Sequence, residues 1–288
     1  MNIRGTKLPT TKLDKIKLVV CDMDGTALNS KKELSAYTQR VFNSLRDMEI
    51  ACTIASARTP KMLGVFCKQF GIDKCPVITL EGGLVLNWGT GEIIHSRPLF
   101  SEAVKIIIEY IHSNGLDYTA YTAERSILRR NSKRIWRFTE YSKLAKSYGL
   151  PPVITEEYED INLNDLAEEG VYKIFVDNPD EGEKLALISM LETIDNIRTD
   201  CSEGHSITVM HKDVSKGNAL LALTKKLGLS REEICCFGDW YNDIDMLSAF
   251  PNSVAMLNGV DAAKTSSGYI TLSNDDDGVA FFIDNFIL

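Results

Sequence analysis

The chain has 288 residues, 44% of them apolar and 25% charged, and its 32 basic against 40 acidic residues leave a net charge of −8. That length exceeds what one hydrophobic core usually organises, so two domains are expected, and the ordinary apolar fraction excludes a disordered chain. The acidic balance argues against nucleic acid or an anionic membrane as partner, but a small anionic substrate needs only a few placed cations or one metal ion.

In chain order, residues 16–21 (IKLVVC) form a short apolar run that stops at Asp22-Met23-Asp24-Gly25-Thr26, a buried strand running into a loop. Leu34, Tyr37, Val41, Leu45 and Met48 stripe a helix over 33–49. Residues 50–55 are a second strand, and Thr59-Pro60 starts a helix with Thr as N-cap and Pro at its first position. Gly71 ends that helix and residues 76–80 are a third strand, so the β-α-β-α-β order predicts a parallel sheet with right-handed crossovers.

After Leu80 the pattern changes. A hairpin is expected over 83–88 and 92–97, a helix over 101–113, strands at 116–122 and 126–130, and a helix over 133–148. Residues 151–165 read as polar loop, followed by a strand at 171–176, a helix at 180–194, and strands at 197–200 and 206–211. From Lys216 the alternating α/β texture returns: a helix striped by Ala219, Leu220, Leu223 and Leu227, a strand at 234–237 ending in Gly238-Asp239, a helix at 243–249, short strands at 253–256 and 269–271, and a last helix from Gly278. The expected fold class is therefore α/β, with a doubly wound, Rossmann-like parallel-sheet core over 1–85 and 209–288 and an inserted α+β domain over 86–208.

No apolar run approaches the roughly 20 residues of a membrane helix, and Met1–Lys15 lacks the apolar segment of a signal peptide. The seven cysteines show no C-x-x-C spacing, and Cys21, Cys52, Cys235 and Cys236 lie in strand-like runs, so reduced, buried thiols in a cytoplasmic protein are expected.

In open parallel sheets, sites form beyond the carboxyl ends of the strands. Three such ends carry polar groups: Asp22 with Asp24, Ser56 with Arg58, and Asp239 with Asn242 and Asp243. Carboxylates converging from separate strands repel unless a cation sits among them, and an oxygen-only set without histidine or thiolate suits Mg²⁺.

The first of these segments, a hydrophobic run followed by Asp22-Met23-Asp24-Gly25-Thr26, resembles the signature of the haloacid dehalogenase-like phosphohydrolase superfamily. Ile54-Ala55-Ser56-Ala57-Arg58, Ser215-Lys216-Gly217 and Gly238-Asp239-Trp240-Tyr241-Asn242-Asp243 resemble its second, third and fourth motifs in order, and the stretches 254–256 and 273–280 resemble its Cof-type, subclass IIB branch. The resemblance implies that Asp22 is the nucleophile of an aspartyl-phosphate mechanism and Asp24 the general acid and then base. It implies that Lys216 offsets the charge of Asp22 and the phosphate, and that Thr26, Ser56, Arg58 and Asn242 bind near phosphate or substrate, with Thr26 bonding close to Asp24. Mg²⁺ would lie between Asp22, the Asp24 backbone carbonyl and Asp239, with Asp243 orienting the set.

The implied function is hydrolysis of a small phosphomonoester, a sugar phosphate above all, with the inserted domain as a cap that reads the leaving group. For Asp24 to act as an acid, carboxylate neighbours or partial burial should raise its pKa. A phosphomutase or a non-catalytic phospho-ligand protein are the alternatives. No G-x-G-x-x-G follows a strand, which removes a dinucleotide enzyme.

Departures from the branch bear on substrate. Ser56-Ala57-Arg58 stands for Thr-Gly-Arg, Glu81-Gly82 for Asn-Gly, and Thr208 and His211 for the usual Glu and Pro. Trp240 and Tyr241 are expected to pack, Arg129, Arg130, Lys133, Arg134 and Arg137 to form a solvated basic face, and His205 and His211 to be poor ligands.

Overall fold

A computed structural model describes residues 4–72, 75–202 and 206–288. The chain divides into two compact units, one of Met1–Ala57, Phe66–His95 and Ser215–Leu288, the other of Arg58–Val65 and Ser96–Val214. His205 lies outside the described residues.

The first unit is built on a five-stranded parallel sheet. Its strands are β1 (Leu18–Cys21), β2 (Ala51–Ile54), β12 (Ile234–Gly238), β13 (Asn252–Ala255) and β14 (Tyr269–Ile270), in the order β14-β13-β12-β1-β2. β1 is paired along both edges, with Leu18 level with both Ile234 and Ala51. Leu18, Val20, Ile234 and Cys236 pack against Ala219, Leu220 and Leu223 of α7 (Lys216–Leu227), and strands buried on both faces read as the unbroken apolar runs seen here. Ser35 caps α1 (Ala36–Asp47) by accepting from the Thr38 N–H, and Thr59 caps α2 (Pro60–Gln69) by accepting from Met62. The unit is completed by α8 (Ile244–Ala249), α9 (Asp261–Ser266) and α10 (Gly278–Phe286).

β3 (Pro76–Thr79) departs from the expected parallel sheet. It touches β2's extension through one parallel bridge, Ala55 to Ile78, and otherwise pairs antiparallel with β4 (Leu84–Asn87), which neighbours β5 (Ile93–Ser96). The helical stripes also run one turn too far, since Met48 and Leu227 are exposed beyond the ends of their helices' core contacts.

The second unit carries a six-stranded sheet, β10-β11-β9-β6-β7-β8, from β6 (Tyr118–Tyr121), β7 (Arg125–Leu128), β8 (Ile154–Glu157), β9 (Lys173–Val176), β10 (Ile197–Ser202) and β11 (Ser206–His211). One face, with Tyr118, Ala120, Ile127, Ile174, Val176, Ile207 and Val209, packs on α3 (Ser101–Ser113), α5 (Leu163–Glu169) and α6 (Glu181–Leu191), while α4 (Ile135–Ser147) contributes the buried Phe138. The stretch expected to be polar loop holds β8 and the start of α5. Glu156 of β8 and Glu169 of α5 both pair with Arg125, and Glu157 pairs with Arg130, so ion pairs support a strand whose charges mask its periodicity. The fold class is thus α/β, a Rossmann-like core interrupted by an α+β unit.

Candidate active site

β12, β1 and β2 are neighbours, so their carboxyl ends deliver Asp239, Asp22 and Ser56 side by side. The Asp22 N–H donates to the Phe237 carbonyl, which carries the sheet ladder one residue beyond β1 and fixes where that carboxylate starts. Ser56 is held the same way: its N–H donates to Ile78 and its carbonyl accepts from Glu81.

Lys216 is the first residue of α7 and is fully buried. A cation there faces the positive end of the helix dipole and loses its hydration. Two carboxylates compensate: Nζ lies 2.6 Å from Asp22 Oδ1 and 2.7 Å from Asp243 Oδ1. Burial alone would lower the lysine's pKa, but Asp22, Asp243 and Glu81 outweigh it and hold the ammonium charged. The other oxygen of Asp243 accepts from the N–H groups of Asp239 (2.9 Å) and Trp240 (3.1 Å). Both Asp243 oxygens are therefore committed to protein donors, which suits an orienting residue.

Thr26, expected to bond near Asp24, finds its partner at the end of β12. Its buried hydroxyl donates to Asp239 Oδ1 at 2.6 Å, fixing that carboxylate. Gly25 makes the approach possible: its φ is +82°, and a Cβ there would lie 2.4 Å from Asp239 Oδ2. Its carbonyl accepts from Asn258, and the loop after β1 is tied down further by Asn274 on the Leu28 carbonyl and Asp275 on the Ser30 N–H. The late acidic turn is thus a brace for the Asp24 loop, a role that its composition did not signal.

Asp24 itself is partly exposed and its carboxylate pairs with Lys32 at 3.0 Å, a partner that sequence reasoning missed. Asn242 Nδ2 donates to Glu81 Oε2 at 2.9 Å. Arg58 is buried in the second unit with its guanidinium over the Tyr141 ring, 5.3 Å from the centroid.

Asp22, Asp239 and Asp243 offer carboxylate oxygens within 4.8 Å of one another, all buried. One ammonium faces three carboxylates. Burial, only partly offset by Lys216, raises the Asp22 carboxyl well above the usual range, and burial pushes Asp239 up to about 6. Such an excess of buried negative charge, with oxygen donors only, fits a hard divalent cation.

Other residues singled out from sequence fall elsewhere. Trp240 and Tyr241 do not pack inside: they are exposed and meet edge to face at 5.4 Å. Thr208 and His211 are buried on β11, with His211 Nδ1 accepting from the Asp213 N–H. In the basic stretch Arg130 pairs with Glu157 and Asp160, and Arg134 with Asp177. Burial pushes the thiols of Cys21, Cys52, Cys235 and Cys236 up, away from thiolate reactivity.

The profile of the haloacid dehalogenase-like hydrolases matches residues 19–283. The chain belongs to this family. It is 27% identical to a 5-amino-6-(5-phospho-D-ribitylamino)uracil phosphatase of Bacillus subtilis, over 94% of this chain and 98% of that protein. Among solved structures, a haloacid dehalogenase-like hydrolase from Bacteroides thetaiotaomicron superposes with a TM-score of 0.80 at 27% identity, covering 93% of this chain and 98% of that one. A Thermotoga maritima protein superposes with a TM-score of 0.78 at 27% identity, covering 95% and 98%. The chain is accordingly a phosphatase of the haloacid dehalogenase-like type. Among the described residues no helix is long and apolar enough to cross a membrane.

Proposed function

We propose that the chain is a cytoplasmic, Mg²⁺-dependent phosphomonoesterase for a small phosphorylated metabolite, with sugar and sugar-alcohol phosphates as the favoured class. The observation that carries this reading is the buried Lys216 ammonium between Asp22 and Asp243, next to Asp239. The phosphorylated ribityl chain in the name of the Bacillus subtilis relative's substrate supports the choice of class.

Asp22 attacks phosphorus: an O–P bond forms to its carboxylate and the bond from phosphorus to the ester oxygen breaks. Asp24 gives its proton to the departing oxygen, then takes one from the water that hydrolyses the aspartyl-phosphate. That step requires the Asp24 carboxyl to leave Lys32. Two Lys216 N–H groups serve Asp22 and Asp243, and the third is available to a phosphoryl oxygen. Ser56 and Asn242 bind the remaining oxygens. Mg²⁺, held by Asp22, the Asp24 carbonyl and Asp239, would supply charge neutralisation for an anionic nucleophile meeting an anionic ester. Residues 1–85 and 209–288 act as the catalytic core in this reading, and 86–208 as the cap that selects the leaving group, with Arg58 as a substrate contact. Neither nucleic acid nor membrane is a partner.

The test is phosphate release from a panel of small phosphate esters with and without Mg²⁺, using D22N as control. Metal-dependent release that D22N abolishes supports the reading. A rearranged ester in place of free phosphate would make the chain a mutase, and release that survives D22N would remove Asp22 as nucleophile.

A further inference from the structure

Glu81 sets a further acid beside the buried carboxylates and Lys216. It follows β3 in a turn where Leu80, Glu81 and Gly82 have φ of 52°, 61° and 97°. Left-handed backbone is open to glycine but unfavourable for Leu and Glu, so two successive side chains are held against their own preference. The turn is locked from both sides. The Glu81 N–H donates to the Ser56 carbonyl at 3.1 Å, and Gly82 sits so close to Ser215 that a Cβ would lie 2.2 Å from its carbonyl oxygen. Ser56 and Ser215-Lys216 are the ends of two of the site's own elements. The result of this locked turn is a carboxylate 2.9 Å from Asn242 Nδ2.

A carboxylate only accepts, so it can bind only the NH₂ end of that amide. With one N–H committed to Glu81, the amide of Asn242 has a fixed orientation and one N–H still to give. We propose that Glu81 is a positioning residue for phosphoryl transfer: it fixes the Asn242 amide so that the second Nδ2–H is held for a phosphoryl oxygen. The assignment rests on the phosphatase reading above. It also explains why an acid is tolerated beside an acidic site. Glu81 is the third carboxylate acting on Lys216, after Asp22 and Asp243, and so shares in holding that ammonium charged.

Full-length wild type, E81G, E81Q, N242A and E81G/N242A are compared for kcat, KM and Tm on an ester the wild type hydrolyses. Glycine relieves the left-handed backbone, so E81G keeps or raises Tm, while kcat falls about 10- to 100-fold with KM nearly unchanged. E81Q, which keeps an acceptor oxygen, loses several-fold less than E81G. The double variant is no slower than N242A alone, because both changes remove one arrangement. The proposal is overturned if E81G stays within about twofold of wild type, if E81Q loses as much as E81G, or if the E81G and N242A losses multiply. Wild-type protein without metal-dependent phosphate release would overturn the phosphatase reading and this proposal together. Wild-type turnover with an unaffected E81G would overturn the proposal alone.

Discussion

Lys216 Nζ and Asp22 Oδ1 lie 2.6 Å apart, 194 residues apart in sequence, with the lysine wholly enclosed. Removing one member of such a pair leaves the other charge buried without its partner. K216M should therefore destabilise the fold by about 3–5 kcal/mol, less what repacking of the methionine recovers, and lower turnover by at least about 10³-fold. Urea denaturation and phosphate release measure the two effects. A stable K216M with intact turnover would contradict both.

D22N should separate stability from activity. The amide oxygen can still accept from Lys216, while one of three mutually repelling carboxylates loses its charge. In metal-free buffer its Tm should equal or exceed that of wild type, with turnover at least about 10³-fold lower. A Tm several degrees below wild type in EDTA would show that the Asp22 charge is needed for folding.

The metal-free protein should lose stability as pH rises. Asp239 and Asp22 have folded pKa values above their unfolded ones, Asp239 at about 6 against 3.8. The native state therefore holds their protons more tightly. Their contribution to stability is fully present below the unfolded value and is lost as pH passes through the folded one. Mg²⁺ binds the ionised form, so the stabilisation on adding it should grow between about pH 4 and 7, reaching about 2.7 kcal/mol at a hundred times Kd and raising Tm accordingly. Thermal scans with EDTA or Mg²⁺ across this range test the slope, and D239N should flatten it.

G25A should impair the site more than the fold. A Cβ at Gly25 meets Asp239 Oδ2, and a φ of +82° adds backbone strain. We expect a cost of about 1–2 kcal/mol and a drop in kcat of at least about tenfold, with weaker Mg²⁺ binding. G228A is the control: its φ is +67° but a Cβ there meets open space, so it should lower Tm without touching kcat.

Much of the core was legible because strands buried on both faces leave unbroken apolar runs, as at Leu18–Cys21 and Ile234–Gly238. The polar residues that end those runs lie where an open parallel sheet puts its chemistry. What stayed hidden depends on partners distant in sequence. β8 looked like loop because Glu156 and Glu157 are charged, and only Arg125 and Arg130 across the sheet make a strand there tolerable. Thr26 was expected to bond near its chain neighbour Asp24, and the partner the fold gives it is Asp239, 213 residues away. Lys32 could not be placed on Asp24 without knowing the turn that Asn29 forms by accepting from Lys31 and Glu33. Trp240 and Tyr241 were expected inside by adjacency to a buried strand, but β12 ends at Gly238 and the turn after it faces water.

The place of β1 between β2 and β12 also governs when the protein can exist. β1 leaves a ribosome well before its neighbour β12, which is made some 200 residues later, at Ile234–Gly238. Until then the Leu18–Cys21 backbone has one unpaired edge of buried-type apolar residues, the kind of edge that recruits other chains. A ribosome stalled short of Ile234 would thus release an aggregation-prone chain, and newly made protein should gain solubility and catalysis in a single late step.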